Sequence, residues 1–154
     1  MRIRGATQDD SRTVARIWAD GWRDGHVGHV PDELTAIRTR ESFDLRAAQR
    51  VADTVVAEVD GAVAGFVMVD ADEVEQVYVD AAHRGSGVAS ALLAEGERLV
   101  KAAGHGKAWL AVATGNTRAR RFYEREGWVD EGEFDYPAAS SAGPIPVPCH
   151  KFSK

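Results

Sequence analysis

The sequence has a single cysteine, Cys149, so no internal disulfide can form, and a multi-cysteine metal cage is excluded. Cys149 reads as a small packed side chain, because a reactive thiol needs an electropositive niche that nothing around it supplies. No stretch approaches the roughly 18 consecutive apolar residues that would cross a bilayer, and the amino terminus lacks a charged stretch followed by an apolar run. A cytoplasmic location with no membrane partner is therefore expected. Positive charge is also in deficit. The formal net charge of -5 argues against a broad attraction to nucleic acid and mildly favours a cationic small-molecule partner. There is no internal repeat and no low-complexity linker. What remains is 154 residues, 44% hydrophobic and 28% charged, the size and mixture of one ordinary globular domain spanning 1–154.

Ile3 to Thr7 reads as a first strand, and Asp9 or Asp10 offers a cap for a helix with Val14, Ile17 and Trp18 on its core face. Gly21 to Pro31 is dense in Gly, His and Trp and suits a pocket-shaping loop, with a second helical stretch from Asp32 to Arg50. Thr54–Val59 and Val63–Val69 are rich in β-branched residues and flank Asp60-Gly61, a dipeptide that accepts a tight hairpin turn. Val74–Val79 is a third strand. Val88 to Ala103 has helical periodicity, with Val88, Leu92, Leu99 and Ala103 along one side, and is closed by Gly104 and Gly106. Lys107–Ala113 reads as a strand, followed by a helix capped by Asn116 that carries Ala119, Phe122 and Tyr123 and is stopped by Gly127. Trp128–Tyr136 and Ile145–Phe152 look extended. Pro144, Pro146 and Pro148 alternate, so that run must be an edge, or else the strand begins after Pro148.

The segment Arg84-Gly85-Ser86-Gly87-Val88-Ala89 lies between a strand and a helix. Two glycines let the backbone curl with its N–H groups inward, and the helix start adds unpaired donors and about half a positive charge. Such a turn is either an anion cradle that takes a pyrophosphate, with Arg84 adding a charge-assisted contact, or a plain tight turn. A dinucleotide fingerprint would need Gly or Ala where Ser90 stands, and a nucleoside-triphosphate loop would need a Gly-Lys-Ser/Thr run that is absent.

The strand, Arg84-x-x-Gly87-x-Ala89, an amphipathic helix, a strand, and then Asn116-x-x-Ala119-x-x-Phe122-Tyr123-x-x-x-Gly127-Trp128 together resemble the GNAT superfamily of acyl-CoA N-acyltransferases. The resemblance covers about Thr54 to Trp128. It implies an α/β (α+β) fold with a mixed, mostly antiparallel sheet of about six or seven strands and helices on both faces. It also implies acetyl-CoA as the acyl donor and a small-molecule primary amine as acceptor. A protein amino terminus or lysine as acceptor, or a non-catalytic acyl-CoA sensor, are the alternatives.

In proteins of this kind the pantetheine arm lies between two splayed strands and pairs with the first of them as an added strand would. That implies contacts from the backbone of Val77 and Val79, and from Arg84, Gly85, Ser86, Gly87, Val88 and Ala89 to the pyrophosphate. The amine attacks the thioester, and a backbone N–H near Val77 or Val79 holds the tetrahedral oxyanion. The resemblance gives Tyr123 the part of acid toward the departing sulfur; its other reading is a core aromatic beside Phe122. Asn116 caps its helix and is implied to touch the cofactor. The resemblance also implies that the adenosine 3′-phosphate meets one of Arg118, Arg120, Arg121 and Arg125.

The general base is sought in Glu73 and Glu75, which share a strand face by period two, with Glu75 preferred. Trp22, His26 and His29 are expected on the acceptor side, and Trp18 in the core. A homodimer is expected from the closing strands, which often pair across subunits in such folds.

Overall fold

The computed structural model describes residues 1–154. In chain order the elements are β1 (Arg2–Gly5), α1 (Ser11–His26), α2 (Asp32–Ile37), α3 (Arg40–Gln49), β2 (Thr54–Val59), β3 (Ala62–Asp70), β4 (Glu73–Val79), α4 (Val88–Ala102), β5 (Trp109–Ala113), α5 (Thr117–Arg125), β6 (Val129–Ala138) and β7 (Ile145–Ser153). The strands form one seven-stranded sheet in the order β1-β2-β3-β4-β5-β7-β6. Every pairing is antiparallel except β4 with β5.

The central strands are buried on both faces, which is why β3 reads as a nearly unbroken apolar run. One face carries a core of α1, α2 and α3 residues packed on the sheet, with Trp18, Phe43 and Phe66 at its centre. The other packs Leu92, Leu93 and Val100 of α4 against Val67, Leu110 and Phe152. The Asp60-Gly61 turn between β2 and β3 has φ of 52° and 78°, so both residues are left-handed as that dipeptide allows. No helix is long and apolar enough to cross a membrane.

In β4 the register shifts between Met68 and Val69 of β3, where Gln76 faces Met68 and Val74 faces Val69, so Glu75 is the extra residue of a β-bulge. Because of this bulge, Val74 and Val77 both point to the α4 face despite opposite parity. Tyr78 packs on the α1 face.

Three expectations are corrected. Gly21 to His26 is not loop: α1 runs through it to His26. Both glycines in this last stretch serve close approach. A Cβ at Gly21 would run into the Tyr78 ring, with Cε1 at 3.0 Å and another ring carbon nearer still, and one at Gly25 would sit 2.8 Å from Asn116 Nδ2. The stretch from 32 to 50 is two helices, broken at Arg38, with the Thr39 hydroxyl accepting the Ser42 amide (3.2 Å) to start α3. Asp10 does not cap α1. Its carboxylate accepts the Thr7 amide (2.8 Å) and two bonds from Arg4 (2.8 and 3.0 Å), which hold its pKa down at about 2. The proline run is an edge on one side, as its alternation requires: β7 lies between β5 and β6, but residues 145–148 are in register with β6 alone. On the β5 side the ladder stops at Pro148, whose carbonyl still accepts the Thr114 amide (3.0 Å) but which has no N–H to return, so that side of the run is open from there back to Ile145.

Candidate active site

The site is built on a gap in the sheet. β4 and β5 are in register at one pair only, Glu73 with Trp109, and the junction is pinned by Trp109 bonds to Asp72 from its amide (3.1 Å) and its indole N–H (2.9 Å). Beyond it the strands diverge, with β5 paired to β7 as far as Ala113 and Cys149. The Asp80 amide donates to the Ala64 carbonyl of β3 (2.8 Å). Ladder bonds alternate along a strand, so Tyr78 is committed to β3 as well, and the amides and carbonyls of Val77 and Val79 face the gap. They form an unpaired strand edge inside the protein.

At the carboxyl end of β4 the chain turns through Gly85 (φ 75°) and Gly87 (φ 85°), and Gly87 is the left-handed N-cap of α4. A Cβ at either glycine would meet nothing within 4 Å, so backbone conformation and not crowding requires glycine there. No side chain caps α4, and the first backbone bond is Ala91 N–H to Gly87 carbonyl (3.1 Å). The amides of Val88, Ala89 and Ser90 are thus free of backbone partners at the positive end of the helix dipole. Val88 has its side chain in the core, and the Ser86 hydroxyl donates to the His83 carbonyl, so these two offer the turn only backbone groups. Arg84 bonds Asp24 of α1 (2.8 Å) across the mouth.

Across the gap, the Asn116 side chain accepts the Ala119 amide (3.2 Å), which starts α5. Tyr123 lies against Phe122 and Phe152, at ring distances of 5.3 and 5.8 Å. Burial pushes its phenol up to about 12, so it stays protonated near neutral pH and is available as a donor. Gly127 (φ 86°) ends α5, with the Trp128 amide returning to the Tyr123 carbonyl (3.0 Å). Among the four arginines, Arg118 and Arg125 line the cavity, while Arg120 is tied to the Thr114 carbonyl (3.1 Å) and Arg121 lies outside.

A cavity of about 790 Å³ passes through the gap from the Gly85-Gly87 turn to a chamber beneath α1, α2 and α3. Glu73 and Glu75 both line the cavity. Glu75 accepts an ion pair from Arg50 (2.9 Å). Glu73 accepts the Tyr136 hydroxyl (2.7 Å), and burial, together with the nearby Glu75, Asp70 and Asp72, raises its carboxyl to about 7 in spite of that bond. The two carboxylates thus differ in setting: Glu75 is held by a guanidinium, whereas Glu73 is poised for proton transfer near neutral pH.

The three residues expected at the acceptor side divide. Trp22 and His26 line the chamber, stacked at 4.7 Å and 3°. Trp22 is otherwise core. His26 bonds the Trp22 carbonyl through Nδ1 (3.0 Å), and burial lowers its pKa to about 4, leaving it neutral. His29 does not line the cavity; its ring lies over Gly115, where a Cβ would come within 2.7 Å of its Cγ. Cys149 is buried, and burial pushes its thiol up to about 11, in keeping with a packed, unreactive side chain.

Sequence reasoning missed Tyr78, Tyr136, Arg38 and Arg46, all of which line the cavity. Tyr78 had a signal in its alternation with Val77 and Val79. The others come from distant elements, and only the fold brings them together.

The fold has counterparts among solved structures. The chain superimposes on a GCN5-related N-acetyltransferase from Rhodopseudomonas palustris with a TM-score of 0.75 at 19% identity, covering 99% of this chain and 94% of that one. PaiA N-acetyltransferase from Thermoplasma acidophilum, solved in complex with coenzyme A, matches with a TM-score of 0.72 at 18% identity over 99% and 97%. YncA from Salmonella typhimurium, solved with acetyl-CoA, matches with a TM-score of 0.73 at 17% identity over 100% and 92%. At these identities the likeness speaks to the fold alone. No curated protein sequence matches the chain. The acetyltransferase (GNAT) family model matches residues 14–128, from the core face of α1 through the gap and turn to the end of α5, and the chain belongs to that family.

Proposed function

We propose that this protein transfers the acetyl group of acetyl-CoA to the primary amine of a small molecule. The observation that carries the proposal is the unpaired edge of β4 running into the Gly85-Gly87 turn. A pantetheine arm is an extended chain with two amides, which suits a strand edge left open on one side. The diphosphate suits the amides that follow Gly85, and Arg84 can exchange its exposed partner Asp24 for a phosphate oxygen. Acetyl-CoA supplies the activated acyl group.

Glu73 accepts a proton from the incoming ammonium, freeing the nitrogen lone pair to form the C–N bond with the acetyl carbonyl carbon. The backbone N–H of Val77 or Val79 stabilises the negative charge that develops on the carbonyl oxygen. As the C–S bond breaks, its electrons leave with sulfur, and Tyr123 gives that sulfur the phenolic proton. The second proton of the nitrogen returns through solvent to restore the phenol. Trp22 and His26 form the neutral wall of the acceptor chamber, and Asn116 holds the start of α5 so that Tyr123 stays at the gap.

The test is release of free CoA thiol from acetyl-CoA against a panel of small amines, with the acetylated product identified by mass. Transfer to at least one amine at a rate above hydrolysis is expected. Tight binding of acetyl-CoA with no amine accelerating thiol release would favour a sensor. Acetylation confined to peptide amino termini or lysines would move the acceptor to protein.

A further inference from the structure

The acceptor chamber is electrically divided, although the chain as a whole is acidic. Glu73 sits at its sheet end, with Asp70 and Asp72 close enough to raise its pKa. Arg46 of α3 and Arg38, which follows α2, line its helical wall. Their surroundings differ from those of the other arginine nearby. Arg50 is neutralised by Glu75 (2.9 Å) and Asp53 (3.0 Å), whereas Arg38 donates only to the neutral Ala139 carbonyl (2.7 Å). Arg46 makes no ion pair; its guanidinium lies 4.3 Å over the Trp18 ring, and its Nη1 is buried with no hydrogen-bond partner.

A buried guanidinium nitrogen without an acceptor is costly, and a second unpaired arginine beside it adds repulsion. Burial and the proximity of Arg38 both lower the pKa of Arg46, to about 10, yet it remains charged near neutral pH. Glu75 offsets part of this charge but spends its direct contact on Arg50. Glu75 is near enough to act on both Arg46 and Glu73, so the cationic and anionic sides of the chamber flank one residue of the β4 bulge.

We infer that the acceptor carries an anionic oxyacid group as well as its amine, a small amino acid in the simplest case, with its carboxylate on Arg46 and its ammonium directed at Glu73. This inference rests on the acetyl-transfer reading and narrows it. Nη1 is enclosed, so a carboxylate would accept from the remaining donors of the guanidinium, whose face is already fixed on Trp18. Arg38 adds attraction from the side. The same arrangement repels a diamine, whose second ammonium would lie against two cations, so the mild preference for a cationic acceptor suggested by net charge is reversed inside the chamber.

The experiment compares thiol release with amino acids, with the carboxamides of the same amino acids, and with 1,4-diaminobutane, for the native protein and for Arg46→Met and Arg46→Lys. Acetyl-CoA affinity is measured on each variant to confirm an intact donor site. In the native protein, amino acids are expected to exceed their carboxamides in kcat/KM by about 10- to 100-fold, the worth of a hydrogen-bonded charge pair. Arg46→Met should abolish that ratio, chiefly through KM and with acetyl-CoA affinity unchanged, and Arg46→Lys should restore part of it. Carboxamides or the diamine turning over as well as the amino acids would overturn the inference while leaving acetyl transfer intact. So would an equal loss for both acceptor classes in Arg46→Met. If no amine of any charge accelerates thiol release, the acetyl-transfer reading fails and this inference falls with it.

Discussion

Two side chains account for most of the proposed chemistry. Glu73 is held near 7 by burial, and its only direct donor is Tyr136. If it is the base, kcat/KM should rise with pH through a limb centred near 7, and that limb should stay in place when acceptors of different amine pKa are compared. Glu73→Gln should remove the limb and lower kcat about 10²- to 10⁴-fold. The same substitution has a sign on stability. The folded pKa is above the ordinary carboxyl value of 4.5, so the favourable contribution is fully present below 4.5 and is lost as pH rises through about 7. Glu73→Gln should therefore melt above the native protein at pH 8 and close to it at pH 4, as read by thermal denaturation, whereas a carboxylate kept for structure would show the reverse. Tyr123→Phe should lower kcat about 10²-fold or more with little change in acetyl-CoA affinity, because the ring would keep its packing on Phe122 and Phe152 and lose only the proton. Equal losses of rate and affinity would argue against the acid role.

At the scale of elements, α1 is the most instructive. Its glycines looked like loop signals, yet Gly21 and Gly25 are the points where a helix presses on Tyr78 and Asn116. Gly→Ala on an exposed helix face stabilises by about 1 kcal/mol. Gly21→Ala should instead destabilise by about 1–3 kcal/mol in chemical denaturation, since the added methyl forces the Tyr78 ring aside. Asn116→Ala should remove about 1 kcal/mol through loss of the cap on α5. Elements governed by local chemistry were legible: the Asp60-Gly61 hairpin, the glycines around α4 and the Asn116 cap are written in adjacent residues. Elements governed by contacts were not. The glycines of α1 reflect neighbours distant in sequence, and the bulge at Glu75 is set by register against β3. The break at Arg38 had a local sign in the Thr39 cap, which a continuous helical reading passed over.

At the scale of the molecule, the seven-stranded sheet with helices on both faces follows the order of strand and helix patterns in the chain, and the turn at 84–89 was readable because its chemistry is carried by consecutive residues. The acceptor chamber was not readable for the opposite reason. Its walls come from α1, the end of α2, α3, β4 and β6, and its charge is set by which carboxylates find which guanidiniums. Net charge averages over pairs such as Arg4 with Asp10 that do not line the cavity. The central claim concerns the donor site: the free edge of β4 and the turn after it receive one extended, phosphate-bearing molecule. Titrating CoA into uniformly ¹⁵N-labelled protein and following the backbone amides by NMR tests it most directly. The account predicts that the amides of Val77, Val79, Gly85, Gly87, Val88 and Ala89 shift together and saturate at one concentration. Saturable binding that leaves those amides unmoved would contradict it.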